Sequence, residues 1–114
     1  MISNLVTWAE HEFELNKPDD KGITMRQHLE QVERQSGMTP QALRNTVEFP
    51  RLLHHIWIAF CHLNSARQAG FSGPNPITYT ELKAWKELTE TPLEPWEIEA
   101  LKKLDQVYLR VANG

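Results

Sequence analysis

Ile77-Thr78-Tyr79-Thr80-Glu81-Leu82-Lys83-Ala84-Trp85-Lys86-Glu87-Leu88, followed after a short break by Leu93-Glu94-Pro95-Trp96-Glu97-Ile98, is the stretch on which the fold turns. Thr78 stands three residues before Glu81, the spacing at which hydroxyl and carboxylate each satisfy the other's free backbone N–H. A helix is therefore expected to open at Tyr79 and run through Leu82, Trp85 and Leu88. Pro95 suits a first helical position, where no N–H is needed. The helix after it places Ile98, Leu101, Leu104, Tyr108 and Val111 on one stripe, with Lys102, Lys103, Asp105 and Arg110 falling largely elsewhere. Two amphipathic helices joined by residues 89–94 are expected to pack as an antiparallel or steeply crossed hairpin over residues 77–112.

Upstream, helical signals also dominate. Residues 3–15 put Ile2, Val6, Ala9 and Phe13 on a stripe that Leu5 and Trp8 widen. Asn16-Lys17-Pro18-Asp19-Asp20-Lys21-Gly22 is polar and reads as a linker, so residues 1–21 are expected to form a helical arm hinged to a body of residues 22–114. Thr24 and Gln27 make a second capping box, opening a helix that Gly37 would stop. Thr39-Pro40 predicts a short helix ending before Phe49-Pro50. From Pro50 onward Leu52, Leu53, Ile56, Trp57, Phe60 and Leu63 follow helical spacing, while His55, Ile58, Ala59 and His62 occupy the other side without a fully charged face. This is expected to be a central helix, contacted from more than one side and ending near Gly70. Phe71-Ser72-Gly73-Pro74-Asn75-Pro76 reads as a loop, and no run alternates with a strand's period. The expected fold is all-α: a small bundle of about five or six helices around one central helix, ending in the C-terminal hairpin.

The totals exclude several classes. A chain of 114 residues, 40% hydrophobic and 24% charged, supports one domain with one core rather than a disordered tract. No apolar run approaches the roughly 20 residues a membrane span requires. Glu10, Glu12 and Glu14 stand where a secretion signal would be basic and apolar. The net charge of -3 argues against tracking of phosphates. The C-terminal hairpin could imitate a helix-turn-helix, but its second helix opens with Glu94, Glu97 and Glu99, which would face phosphates with carboxylates.

No catalytic, cofactor or metal site emerges. His54, His55 and His62 lie near Cys61, but His55 and His62 are seven apart with Ala59 between them, the wrong pattern for helical zinc ligation. Cys61 has no base placed to activate it and reads as a buried, inert thiol. The carboxylates are read as capping or exposed, none within an apolar stripe where its pKa would rise. There is no glycine-rich phosphate loop. What remains is apolar helical surface. The candidate partner-binding residues are Ile58 and His62 on the outer side of the central helix, and Tyr79, Trp85 and Trp96 on the hairpin. Trp96, one residue into its helix, is read either as a half-exposed binding anchor or as a staple packed on the core.

The hairpin also carries a resemblance. Gly73-Pro74-Asn75-Pro76-Ile77-Thr78-Tyr79-Thr80-Glu81-Leu82-Lys83-Ala84-Trp85, then Leu88-Thr89, Leu93-Glu94-Pro95-Trp96-Glu97-Ile98, Leu101 and Leu104-Asp105, resembles the tail assembly chaperones of long-tailed bacteriophages and prophages, clearly over the last third and more loosely over residues 57–70. The resemblance implies a protein of the host cytoplasm that keeps the tape measure protein soluble while the tail tube grows, and that is absent from the finished virion. It implies the tape measure protein as partner, other tail proteins and self-association as further contacts, and neither a cofactor nor catalytic residues. Two alternatives stand beside it: a phage DNA-binding regulator acting through the hairpin, and a structural tail completion protein.

Overall fold

Capping chemistry sets the helix starts. In the computed structural model, which describes residues 1–114, the Thr24 hydroxyl accepts from Gln27 N–H at 3.2 Å and the Gln27 carbonyl Oε1 accepts from Thr24 N–H at 2.8 Å. These bonds open α2 (Met25–Ser36), which Gly37 ends in the left-handed conformation. Thr78 and Glu81 make the same reciprocal pair at the start of α4 (Tyr79–Leu88). Pro95 opens α5 (Pro95–Asn113), where Glu97 Oε1 accepts from Glu94 N–H at 2.9 Å. Two further helices, α1 (Ile2–Asn16) and α3 (His54–Ser65), complete the set, α3 being entered through a 3-10 turn at Arg51–Leu53.

The fold is mostly helical but not strictly all-α. Ala69–Gly70 (β1) and Gly73–Pro74 (β2) pair as a short antiparallel hairpin where only a loop is expected from the sequence, with Phe71 and Ser72 at its tip. Gly73 is required by its backbone conformation, and Gly70 lies close under the Asn75 side chain. A Cβ on Gly70 would lie 2.4 Å from Asn75 Oδ1, and Gly73 holds φ +117 with Asn113 Oδ1 2.9 Å from the place of its Cβ.

Two other expected elements come out shorter. The helix after Thr39-Pro40 is a single 3-10 turn, Gln41–Leu43. Asn45 accepts from Val47 N–H and donates to the Trp8 carbonyl, so local side-chain bonds compete with the helical ladder. α3 stops at Ser65, five residues before Gly70, as Arg67 turns inward.

The packing also differs from a bundle built around α3. The helix that gathers the others is α5, lying along α1 and α3 and against β2. Leu5 and Ala9 of α1, Ile56, Ala59, Phe60 and Leu63 of α3, and Ala100, Leu101 and Leu104 of α5 form the core. The segment at residues 16–22 does not detach an arm: α1 is packed along α5, and Lys17 Nζ donates to the Gly114 carbonyl at 2.6 Å. Nor do α4 and α5 lie side by side as the expected hairpin would. Their backbones hardly approach, and α4 rests on α3 instead.

Candidate functional site

The loop between α3 and α4 rests on a buried ion pair. Arg67 and Asp105 side chains are 5% and 3% exposed, and Arg67 Nη1 lies 2.6 Å from Asp105 Oδ1, off the line of its N–H bonds. Arg67 also donates from Nε to Asn64 Oδ1 at 2.8 Å and from Nη1 to the Asn75 carbonyl at 2.8 Å. Its guanidinium carbon sits 4.4 Å above the Tyr108 ring, and Nη2 makes no hydrogen bond. The second oxygen of Asp105 accepts from Ile77 N–H at 3.0 Å, and Lys102 Nζ donates to the Ile77 carbonyl at 2.6 Å. Two residues of α5 thus clamp the segment that leads into α4.

Asp105 and Glu97 correct the expectation that no carboxylate lies in an apolar stripe. Both are buried on the inner face of α5. For Asp105 the signal is present: Leu101, Leu104, Asp105 and Tyr108 follow the i, i+3, i+4, i+7 spacing of one face.

Four of the five candidate contact residues come together. Ile58 is 39% exposed on the open side of α3, with His55 and His62 on the same side. The His62 ring stands edge-on to Trp85 of α4, centroids 6.2 Å apart, and the His55 ring edge-on to Trp96 of α5 at 6.4 Å. His55 Nε2 pairs with the buried Glu97 Oε2 at 2.6 Å, and Trp96 Nε1 donates to Glu94 Oε2 at 2.8 Å. Trp96 is 41% exposed, its indole bonded to the N-cap carboxylate, and it is not part of the core. The result is a strip running Trp96, His55, Ile58, His62, Trp85, exposed except at Trp85, which is partly buried against the core. Tyr79 lies outside it, at the start of α4 beneath the Lys102 ammonium, which is 4.7 Å from its ring.

A second surface is less legible in the sequence. Between α3 and the C-terminal parts of α1 and α5 lies a cleft of about 820 Å³, walled in part by Phe13, Trp57, Tyr108, Val111 and Pro74 and in part by polar side chains, among them Glu12, Asn16, Lys17, Asn64 and Gln68. Its rings form a continuous series: Phe13 is 5.2 Å from Tyr108 and 5.8 Å from Trp57, and Trp57 stacks on Phe60 at 5.8 Å. Cys61 lines this cleft, half-buried, and burial pushes its thiol pKa up, which disfavours the thiolate. No group of three or more His, Cys, Asp or Glu side chains is placed to hold a metal ion, and no helix is long and apolar enough to cross a membrane.

A family model described as phage tail assembly chaperone matches residues 32–110. The chain belongs to that family. No curated protein and no solved structure matches it. The match reaches well beyond the C-terminal third and takes in part of α2, all of α3 and α4, the hairpin, and α5 as far as Arg110. The chaperone's buried Arg67–Asp105 clamp and both strip tryptophans therefore lie within the matched region, whereas α1 lies outside it.

Proposed function

We propose that this chaperone holds an amphipathic helical segment of the tape measure protein along the open side of α3, between Trp85 and Trp96. The observation that carries the reading is that tryptophans from two different helices stand edge-on to His62 and His55, which are aligned on one face of α3. Seven residues of helix separate those histidines, a rise of about 10.5 Å. That distance matches the i to i+7 repeat through which a client helix presents its apolar face to a groove. Ile58 supplies apolar surface between the two ends, half-exposed Trp96 makes a low-entropy anchor, and Trp85, partly buried against the core, closes the other end. The reading assigns no catalytic step and no cofactor, and it places the protein in the host cytoplasm during tail assembly and outside the mature virion.

Co-expression with the tape measure protein tests it. The client is expected to stay soluble and to co-purify with the chaperone, and Trp85→Ala with Trp96→Ala is expected to abolish both effects while the circular dichroism spectrum stays helical. A client equally soluble with and without the chain would remove the proposal. Mass spectrometry of purified particles provides a separate check. Stoichiometric recovery of the chain there would make it a structural tail component.

A further inference from the structure

The Trp96 end of the strip is closed by a circuit of contacts through Glu97, Glu94, Trp96 and His55. Glu97 is its centre. This carboxylate is buried on the inner face of α5 and uses both of its oxygens. Oε1 accepts from Glu94 N–H at 2.9 Å, and Oε2 lies 2.6 Å from His55 Nε2 on α3. Glu94 in turn accepts from the Trp96 indole N–H at 2.8 Å, and the Trp96 ring stands edge-on to His55. A carboxylate offers lone pairs and no proton, so the hydrogen of the neutral His55 ring sits on Nε2. Nδ1 is left with its lone pair and makes no hydrogen bond, on a side chain that is more than half exposed. His62, at the Trp85 end, has no such anchor: its ring touches Trp85 and is bonded at neither nitrogen. One end of the strip therefore carries a hydrogen-bond acceptor of fixed tautomer, and the other does not.

Given a client held along the strip as proposed above, we infer that His55 Nδ1 is its specificity-determining acceptor and that Glu97 is the residue that positions it. A client helix lying across His55 removes water from Nδ1. Where the client brings an N–H or O–H side chain to that point, the lone pair is satisfied again. Where it brings only apolar atoms, the acceptor is buried unbonded and the complex is weakened. The tape measure segment bound here therefore carries an amide, hydroxyl or ammonium side chain beside the apolar residue that packs on Trp96.

Glu97→Gln separates this role from a merely structural one, because it keeps the shape of the side chain and its capping bond. The amide oxygen has to face Glu94 N–H, so the amide NH2 faces His55 Nε2. Nε2 then accepts, the ring proton moves to Nδ1, and the acceptor offered to the client becomes a donor. At about pH 8, above the range in which imidazole ordinarily titrates, heteronuclear NMR of the ring nitrogens is expected to find His55 protonated on Nε2 in the wild type and on Nδ1 in Glu97→Gln. The His55 signals are identified by their absence from His55→Leu. The tape measure protein is expected to bind Glu97→Gln at least about tenfold more weakly, at a urea midpoint close to that of the wild type. His55→Asn, whose amide oxygen can stand at the Nδ1 position, is expected to bind more tightly than His55→Leu, which keeps no acceptor. A neutral wild-type His55 protonated on Nδ1 would overturn the inference. So would Glu97→Gln or His55→Leu binding the client as the wild type does while Trp85→Ala with Trp96→Ala loses it, since the strip would then work without its acceptor. A tryptophan variant that keeps the client would overturn both the strip and its acceptor.

Discussion

Replacing Asp105 by alanine is expected to be the most damaging single change in this molecule. Asp105 is one half of a buried ion pair and the only acceptor for Ile77 N–H, so its removal leaves the Arg67 guanidinium uncompensated and a buried donor unbonded. Breaking a buried pair from one side costs about 3–5 kcal/mol. A domain of this length holds roughly 6–17 kcal/mol in total. The variant is therefore expected to fold but to melt more than about 10 °C lower. Urea unfolding followed at 222 nm measures the loss directly, as a fall in midpoint with an unchanged slope. Asp105→Asn keeps an acceptor for Ile77 and is expected to lose less. Arg67→Met combined with Asp105→Leu removes both charges, and its cost is expected to be smaller than that of Asp105→Ala alone. A loss below about 1 kcal/mol for Asp105→Ala at constant slope would refute the assigned role, since even one unsatisfied buried donor costs about that much.

Thr78→Ala removes the two bonds of the Thr78 hydroxyl, while residue 78 N–H still donates to Glu81, and is expected to cost about 1 kcal/mol by the same urea assay. Glu90 has φ 54 and closes α4 with bonds from Glu90 N–H to the Glu87 carbonyl and from Thr91 N–H to the Lys86 carbonyl. Because this is the left-handed position that glycine favours, Glu90→Gly is expected to be neutral or to raise stability by up to about 1 kcal/mol. The Asp19 carboxyl accepts from Ile23 N–H and pairs with His28, which hold its pKa below the ordinary 3.8. The lowered native value means that its contribution to stability is present above the unfolded pKa and is lost as the pH falls through the native one. A carboxyl NMR titration is expected to give a midpoint below 3.8 that Ile23→Pro, lacking the N–H, moves upward. Cys61 is expected to react with iodoacetamide at pH 8 more slowly in the native chain than in urea, because burial raises its thiol pKa; equal rates would contradict that.

The elements most legible in the sequence are those whose cause is local. Thr24 with Gln27 and Thr78 with Glu81 act across three residues, and Pro95 and Gly37 act at their own positions, so α2, α4 and α5 begin or end as read. The end of α4 was less visible because a glutamate occupies the left-handed position usually filled by glycine. At the candidate site, the sequence supplies the tryptophans but not their company. Trp85 and Trp96 meet the same face of α3 only because α4 and α5 approach that helix from different directions.

By itself, the sequence determined helical content, most helix starts, the absence of a membrane-spanning helix and the resemblance to tail assembly chaperones, because capping and apolar periodicity depend on near neighbours. Tertiary structure decided that α5 rather than α3 gathers the fold, that α1 is part of the core, and that residues 69–74 form a hairpin. Each of these depends on groups distant in sequence. Arg67 and Asp105 are 38 positions apart, and only when the helices pack does an ordinary-looking carboxylate become the buried acceptor that fixes the loop and aims Phe71 outward.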